Sequence, residues 1–452
     1  MYLSKWKNFI ITFLIFLAIY QTTGLWFENF STYSLFYLIK SKSGNANIQE
    51  NTKYITESIL INSGNNQFIM KYNNISNSDY KKIFDEAIYL CIKDGDFSYI
   101  ENFDIKEVLN NRAIIYTYDF SMKGEDMSKV FNIKSNHLSK IDQFDKIIIV
   151  PLIDDKYSIK TIFLSSKTKQ AYEIKISKEN LSNNIFNTIN EFSNLENKEF
   201  YYISSEESGI SLFTRNQFLP KARTETFNVN KISAINPLEQ DGGILLSESE
   251  KYVDIFFENP VTKSSSFINN TYTYSDENVI VKYYPSGVLE YVKYKSGIGI
   301  DKQDSPYNIA LQFLSKDTNI KNEYYLKNYE IDENGTTFYF DYKINNFPIT
   351  LSEEKKEETG MKSMIEITVE GNMVSKYKRI IYDFEKEDEY ITVEKSFIEA
   401  IDNFLLNVDI GNSNIDKMKL VYKFNSVDEL TDIKWLINVD GQDYLESVTY
   451  GG

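Results

Sequence analysis

Cysteine and histidine are nearly absent from this chain: there is one of each in 452 residues. With Cys91 alone, no intramolecular disulfide can brace the fold, so stability has to come from large cores. Cys91 lies in DEAIYLCIK, an apolar helical face, and is expected to be buried and inert. A single histidine, His137, removes any His-rich zinc site and makes a Ser-His or Cys-His couple depend on that one residue. It stands in SNHLSK, a polar loop without a G-x-S-x-G or nucleophilic-cysteine context, and is expected to be solvated. Positive charge is also scarce. Against 49 Lys and Arg stand 65 Asp and Glu, a formal net charge of −16, which argues against nucleic acid and against a long polybasic membrane contact.

Chemical motifs are missing too. SGIGI (Ser296 to Ile300) lacks the strand–turn–helix setting of a phosphate loop. DENG (Asp332 to Gly335) has no calcium-loop spacing behind it and reads as a turn. Glu353 to Glu358 (EEKKEE) and Glu385 to Glu389 (EKEDE) read as solvated loops. A carboxylate pair could act as acid and base, but sequence cannot select one among so many acids. The expectation is a protein without catalytic residues, metal or cofactor.

One uncharged run is present, and the rest of the chain is organised behind it. Between Lys7 and Glu28, residues Asn8 to Phe27 contain no Asp, Glu, Lys or Arg, and FIITFLIFLAIY (Phe9 to Tyr20) is almost wholly apolar. At about 1.5 Å per residue this run can cross a hydrocarbon core about 30 Å thick. A cleaved signal peptide is the competing reading, but no small-x-small site follows; Thr22-Thr23-Gly24 is the nearest and a poor one. We read an uncleaved anchor. Lys5 and Lys7 precede it, so residues 1–7 should be cytoplasmic, 8–27 the transmembrane helix and the bulk extracytoplasmic. On a helical wheel Phe9, Phe13, Phe16, Tyr20, Gly24 and Phe27 share one face, which suits either lipid or a partner helix.

Residues 28–51 read as a juxtamembrane tether, starting with an apolar run (Phe30 to Ile39) too short to span. Residues 52–205 read as a mixed α+β domain. It has helices at Asp79 to Lys93 and Asn180 to Phe192, strands at Ala113 to Phe120 and Lys146 to Ile153, and a hairpin across SSKTKQ. A middle domain, 206–300, has a helix at Ser247 to Phe257 stopped by Asn259-Pro260, followed by strands. Residues 301–392 open with Ser305-Pro306, an N-cap followed by proline at N1, continue through IALQFL, and turn at Asn334-Gly335. An extra hairpin, Ile365 to Val369 and Val374 to Phe384, turns at Gly371-Asn372. Residues 393–452 repeat the pattern from Ser396, with AIDNFL, then strands turning at Asp440-Gly441.

Phe338, Phe340, Tyr342, Ile344 and Ile349 match Ile433, Trp435, Ile437, Val439 and Tyr444 at a constant offset of 95. A helix followed by an antiparallel meander, repeated, is an α+β architecture with a duplicated C-terminal half. Chance similarity between amphipathic hairpins is the alternative.

Particular stretches resemble the YycH/YycI family. FFENP (Phe256 to Pro260), Tyr274-Ser275-Asp276 and SGVLEYVKY (Ser286 to Tyr294) are similar to the middle of YycH-type sequences. FYFDYKINNFPI, ITVEGNMVSKYKR, LVYKF and KWLINVDGQDYLE are similar to the later hairpins. The resemblance covers the anchor and residues 205–450 and is vague from 50 to 200. It implies a non-enzymatic, membrane-anchored regulator of a WalK (YycG) sensor histidine kinase governing cell-wall metabolism, often paired with a YycI-like protein. Two other readings stay open: a PepSY-type extracytoplasmic chaperone or protease-inhibitor module, and a cell-wall enzyme with an unrecognised carboxylate pair.

Overall fold

A computed structural model describes residues 56–64, 69–71, 79–130, 132–153, 157–193, 199–240, 243–244, 246–294, 304–333, 335–344, 346–426 and 430–450. The expected span, the tether and the shared face of Phe9, Phe13, Phe16, Tyr20, Gly24 and Phe27 lie outside them, as does the SGIGI stretch. None of the described helices is long and apolar enough to cross a membrane. The architecture is mixed α+β and rich in strands.

The N-terminal half forms a nine-stranded antiparallel sheet. Its strands are β1 (Ser58–Asn62), β2 (Ile69–Lys71), β3 (Asp96–Ile100), β4 (Ala113–Met122), β5 (Phe144–Leu152), β6 (Ser158–Ser165), β7 (Gln170–Ser177), β8 (Phe200–Ser204) and β9 (Phe218–Ala222). They lie in the order β3-β7-β6-β5-β4-β1-β2-β8-β9. Helices α1 (Asp79–Asp94) and α4 (Glu179–Ser193) pack together on one face. There Phe84, Ala87 and Ile185 join Ile59, Ile114, Ile147 and Ile149 in one core. The short helix α2 (Ile105–Leu109) serves the other face, where Ile105 and Val108 join Leu60, Ile115, Ile148 and Val150. Because both faces are covered at the middle of the sheet, the central strands are apolar on both sides, which is why AIIY of β4 and IIIV of β5 read as unbroken runs. Cys91 is fully buried within the first core, and burial raises its thiol pKa to about 11. His137, just after helix α3 (Gly124–Val130), departs from expectation. It is half-buried, its ring stacked on Phe97 with centroids 5.6 Å apart and planes 2° from parallel.

The C-terminal half opens with β10 (Phe227–Ile235), a short hairpin of β11 (Glu239–Gln240) and β12 (Gly243–Ile244), and helix α5 (Leu246–Asp254). A meander follows: β13 (Ser264–Ile268), β14 (Thr271–Ser275), β15 (Val279–Tyr283) and β16 (Val288–Lys293). Next come α6 (Pro306–Lys316), β17 (Glu323–Ile331), β18 (Thr336–Ile344), β19 (Phe347–Leu351), α7 (Glu353–Thr359), β20 (Ile365–Glu370), β21 (Met373–Ile380) and β22 (Asp383–Val393). Helix α8 (Phe397–Asn407), β23 (Ile415–Phe424), β24 (Ile433–Val439) and β25 (Gln442–Glu446) complete it. Helix-then-three-strands occurs in α6-β17-β18-β19 and again in α8-β23-β24-β25. Twelve of the strands share one sheet, joined between these groups by the parallel pairing of β19 with β23, Ile349 beside Tyr422.

Local chemistry accounts for several helix ends. Ser305 caps α6 by accepting from the Asn308 N–H at 3.2 Å, with Pro306 in the first turn. Ser396 and Glu399 form a reciprocal capping box on α8. Two acidic stretches are not the loops expected. Glu353–Thr359 is helical, capped by Ser352 and stopped by Gly360 in the left-handed conformation, with Lys355 buried. Glu385 to Glu389 lies inside β22, which pairs with β10 instead of extending the second hairpin, so that hairpin ends at Ile380.

Candidate functional site

The two large sheets meet at a seam of charged side chains. On β4, Asp119 is the one ionised residue in AIIYTYDFSM, and it is almost fully buried. The β4–β5 register is interrupted between Thr117 and Met122, so Asp119 lies where β4 has left its neighbour. Facing it on β23 are Lys417 and Lys419, two residues apart and therefore on the same side of the strand. Lys419 Nζ donates to Asp119 at 2.8 Å and pairs with Glu57 at 3.0 Å; Lys417 Nζ lies 3.3 Å from Asp119. Burial opposes the Asp119 charge, but the two lysines outweigh it and hold the carboxyl well below the usual carboxylate range. Burial likewise opposes the charge on Lys419, which Asp119 and Glu57 hold well above the usual value.

A second charged group adjoins the first. Lys146 Nζ, buried, donates to Asp145 at 3.0 Å, to Ser166 Oγ at 2.6 Å and to the Asn216 carbonyl at 2.8 Å. The connection after β8 is fastened to β23 by its backbone. Thr214 N–H donates to Ile415 O at 3.0 Å, and Ile415 N–H to Leu212 O at 2.8 Å. The Gln217 side chain both donates to Asp416 O and accepts from Met418 N–H. Asp119, Lys146, Lys417, Lys419 and Gln217 border a cavity of about 100 Å³ whose apolar walls include Tyr202, Phe347 and Pro348.

Chemically this arrangement clamps. A carboxylate held ionised by two ammonium groups is a poor general base near neutrality. Among the described residues no group of three or more His, Cys, Asp or Glu is placed to hold a metal ion. The aromatic face singled out from the sequence lies outside the described residues. Sequence reading missed Asp119, Lys417, Lys419 and Lys146. The available signals were a single acid in an apolar strand and the alternating lysines of IDKMKLVYKF, but nothing local says that the two meet.

No family model matches the chain. No curated protein matches it either. Among solved structures, the crystal structure of YycH from Bacillus subtilis aligns with a TM-score of 0.53 and 13% sequence identity, covering 90% of this chain and 98% of that one. Coverage of that extent takes in most of the N-terminal region where the sequence resemblance was vague, as well as the hairpins where it was clear. At this identity the likeness is one of fold, and the chain has the YycH fold over nearly its whole length.

Proposed function

We propose that the protein is a non-enzymatic, membrane-anchored regulator that binds and modulates a WalK-like sensor histidine kinase controlling cell-wall metabolism. The observation carrying this reading is the YycH fold across 90% of the chain. In this reading residues 1–7 are cytoplasmic, 8–27 span the membrane, and the body is extracytoplasmic. The face of Phe9, Phe13, Phe16, Tyr20, Gly24 and Phe27 meets a kinase helix, and a YycI-like protein is a second partner. The clamp between the sheets supports the reading, because it makes one body of two sheets and leaves Asp119 no part in acid–base chemistry. The PepSY alternative addresses only the C-terminal repeats, whereas the likeness extends well beyond them.

Crosslinking in intact membranes, followed by purification of the full-length protein, tests the proposal. A histidine kinase should co-purify. Replacing residues 8–27 with a leucine-rich span should preserve insertion while weakening that co-purification and altering response-regulator phosphorylation. Recovery of a secreted protease in place of any kinase would support the PepSY alternative and overturn this proposal.

A further inference from the structure

The cavity at the seam has more positive than negative neighbours, although the chain as a whole is strongly acidic. Lys146, Lys417 and Lys419 line it together with Arg215, against Glu57, Asp119 and Asp145. The three lysines are matched with those three carboxylates. Arg215 is the surplus cation. Its Nε donates to the Asp416 carbonyl at 3.0 Å, and among the described residues no carboxylate lies within ion-pair distance of its guanidinium. Its charge also presses on its neighbours: after burial itself, Arg215 is among the causes that lower the Lys146 and Lys417 pKa values.

The next residue supplies an independent sign. Asn216 is buried, lines the same cavity, and its Nδ2 has no hydrogen-bond partner. Its orientation is fixed by the other end of the amide. Oδ1 accepts from Ser204 Oγ at 2.7 Å and Ser205 Oγ at 3.2 Å. Both hydroxyls also accept backbone N–H groups, from Glu206 and Gln217, and each keeps its one proton for the amide oxygen. A buried donor without a partner is costly, and such a group at a cavity calls for an acceptor. Arg215 thus brings an unmatched charge to a space whose other walls include Phe347 and Pro348, and Asn216 an unpartnered donor buried just behind that wall.

We propose that this cavity binds the carboxylate of a free small organic acid, its head group on Arg215 and Asn216 and its carbon chain against Phe347 and Pro348. A guanidinium matches the two oxygens of a carboxylate geometrically. Size sets the rest: a cavity of about 150 Å³ accepts benzene, so one of about 100 Å³ admits an acid of roughly two or three carbons. Inorganic phosphate brings more charge than one surplus cation neutralises and has no use for the apolar wall. Such an acid would touch the β8–β9 connection and β19 together, bracing the joint between the sheets. The inference goes beyond the regulatory reading and does not depend on any kinase.

Equilibrium dialysis of radiolabelled propionate against the full-length protein in lipid nanodiscs, at constant ionic strength, tests it. Wild type should take up one propionate per chain saturably, and propionamide should not compete. Arg215→Gln should weaken binding at least about tenfold, the loss of one charge-assisted contact. Arg215 is half-buried and makes no ion pair among the described residues, so this variant should lower the unfolding midpoint only slightly, through loss of the Asp416 hydrogen bond, and binding is read where both proteins are fully folded. Asn216→Asp, nearly equal in shape, sets negative charge against the ligand and should weaken binding as much or more. Lys160→Gln removes a separate ion pair with Glu173 and should leave binding unchanged. Absence of saturable uptake, wild-type binding by Arg215→Gln, or equal competition by inorganic phosphate overturns the proposal.

Discussion

Taking the charge from Asp119 leaves Lys417 without an ion-pair partner among the described residues and Lys419 with one fewer. Lys417 and Lys419 approach it from β23, and Lys419 retains Glu57 as its other partner. Removing one member of a buried ionic group costs about 3–5 kcal/mol, and we expect Asp119→Asn to lose that much in denaturant unfolding. The pH dependence follows from the direction of the shift. The unfolded carboxyl titrates near pH 3.9 and the folded one well below it. Its contribution is therefore complete above about pH 4 and is lost as pH falls toward the folded value. Acid unfolding of wild type should steepen below about pH 4, and Asp119→Asn should lack that component. Trp435 is a different kind of residue. It is fully buried beside Ile433 and Ile437, and its Nε1 donates to Lys395 O at 3.1 Å. Trp435→Ala should cost about 3–5 kcal/mol. Lost partner binding with an unchanged melting temperature would instead make it an interface residue. The alternation IKWLINV made this burial legible in the sequence, as the apolar helical face did for Cys91. The stacking of His137 on Phe97 was not legible, because 40 residues separate them and neither is in a repeating pattern.

At the scale of elements, what could be read was what is encoded locally. Ser305-Pro306 and Ser396 started helices, and β17 pairs with β18 across Asp332 and Gly335, because caps and turns act over a few residues. The hairpin is also sterically tight: a Cβ on Gly335 would sit 2.1 Å from the Val369 carbonyl oxygen of β20. Gly335→Ala should cost about 1–3 kcal/mol, measured by thermal unfolding, since backbone rather than a flexible side chain has to move. Elements that depend on distant partners were misread. Glu385 to Glu389 looks like a solvated charge run until β10 supplies a ladder, with Lys231 placed 3.4 Å from Glu389. EEKKEE was a missed local signal: strong helix formers between a capping serine and a stopping glycine.

For the whole molecule, the α+β class was legible from alternating helical and strand periods, and the resemblance to YycH from its hairpins. The organisation of the core was not, because the first sheet closes by pairing Ile69 with Tyr202, and the two sheets meet through contacts such as that of Asp119 with Lys419, 300 residues apart. The orientation of the chain in a membrane has a direct test. Protease added to intact protoplasts should remove the body and spare only a small N-terminal fragment. A soluble protein beginning near residue 25 in the medium would contradict the anchor.

Asp119 and Lys419 are separated by 300 residues. A ribosome adding about 5–20 residues per second needs on the order of tens of seconds to make that interval. During that time β4 exists and its counter-charges do not. Strand β10 waits in the same way for β22, Asn230 reaching Glu387 across 157 residues. The seam is thus a latch that closes only when the last strands arrive. A chain cut short before residue 415 lacks Lys417 and Lys419 and leaves the Asp119 carboxylate without its counter-charges.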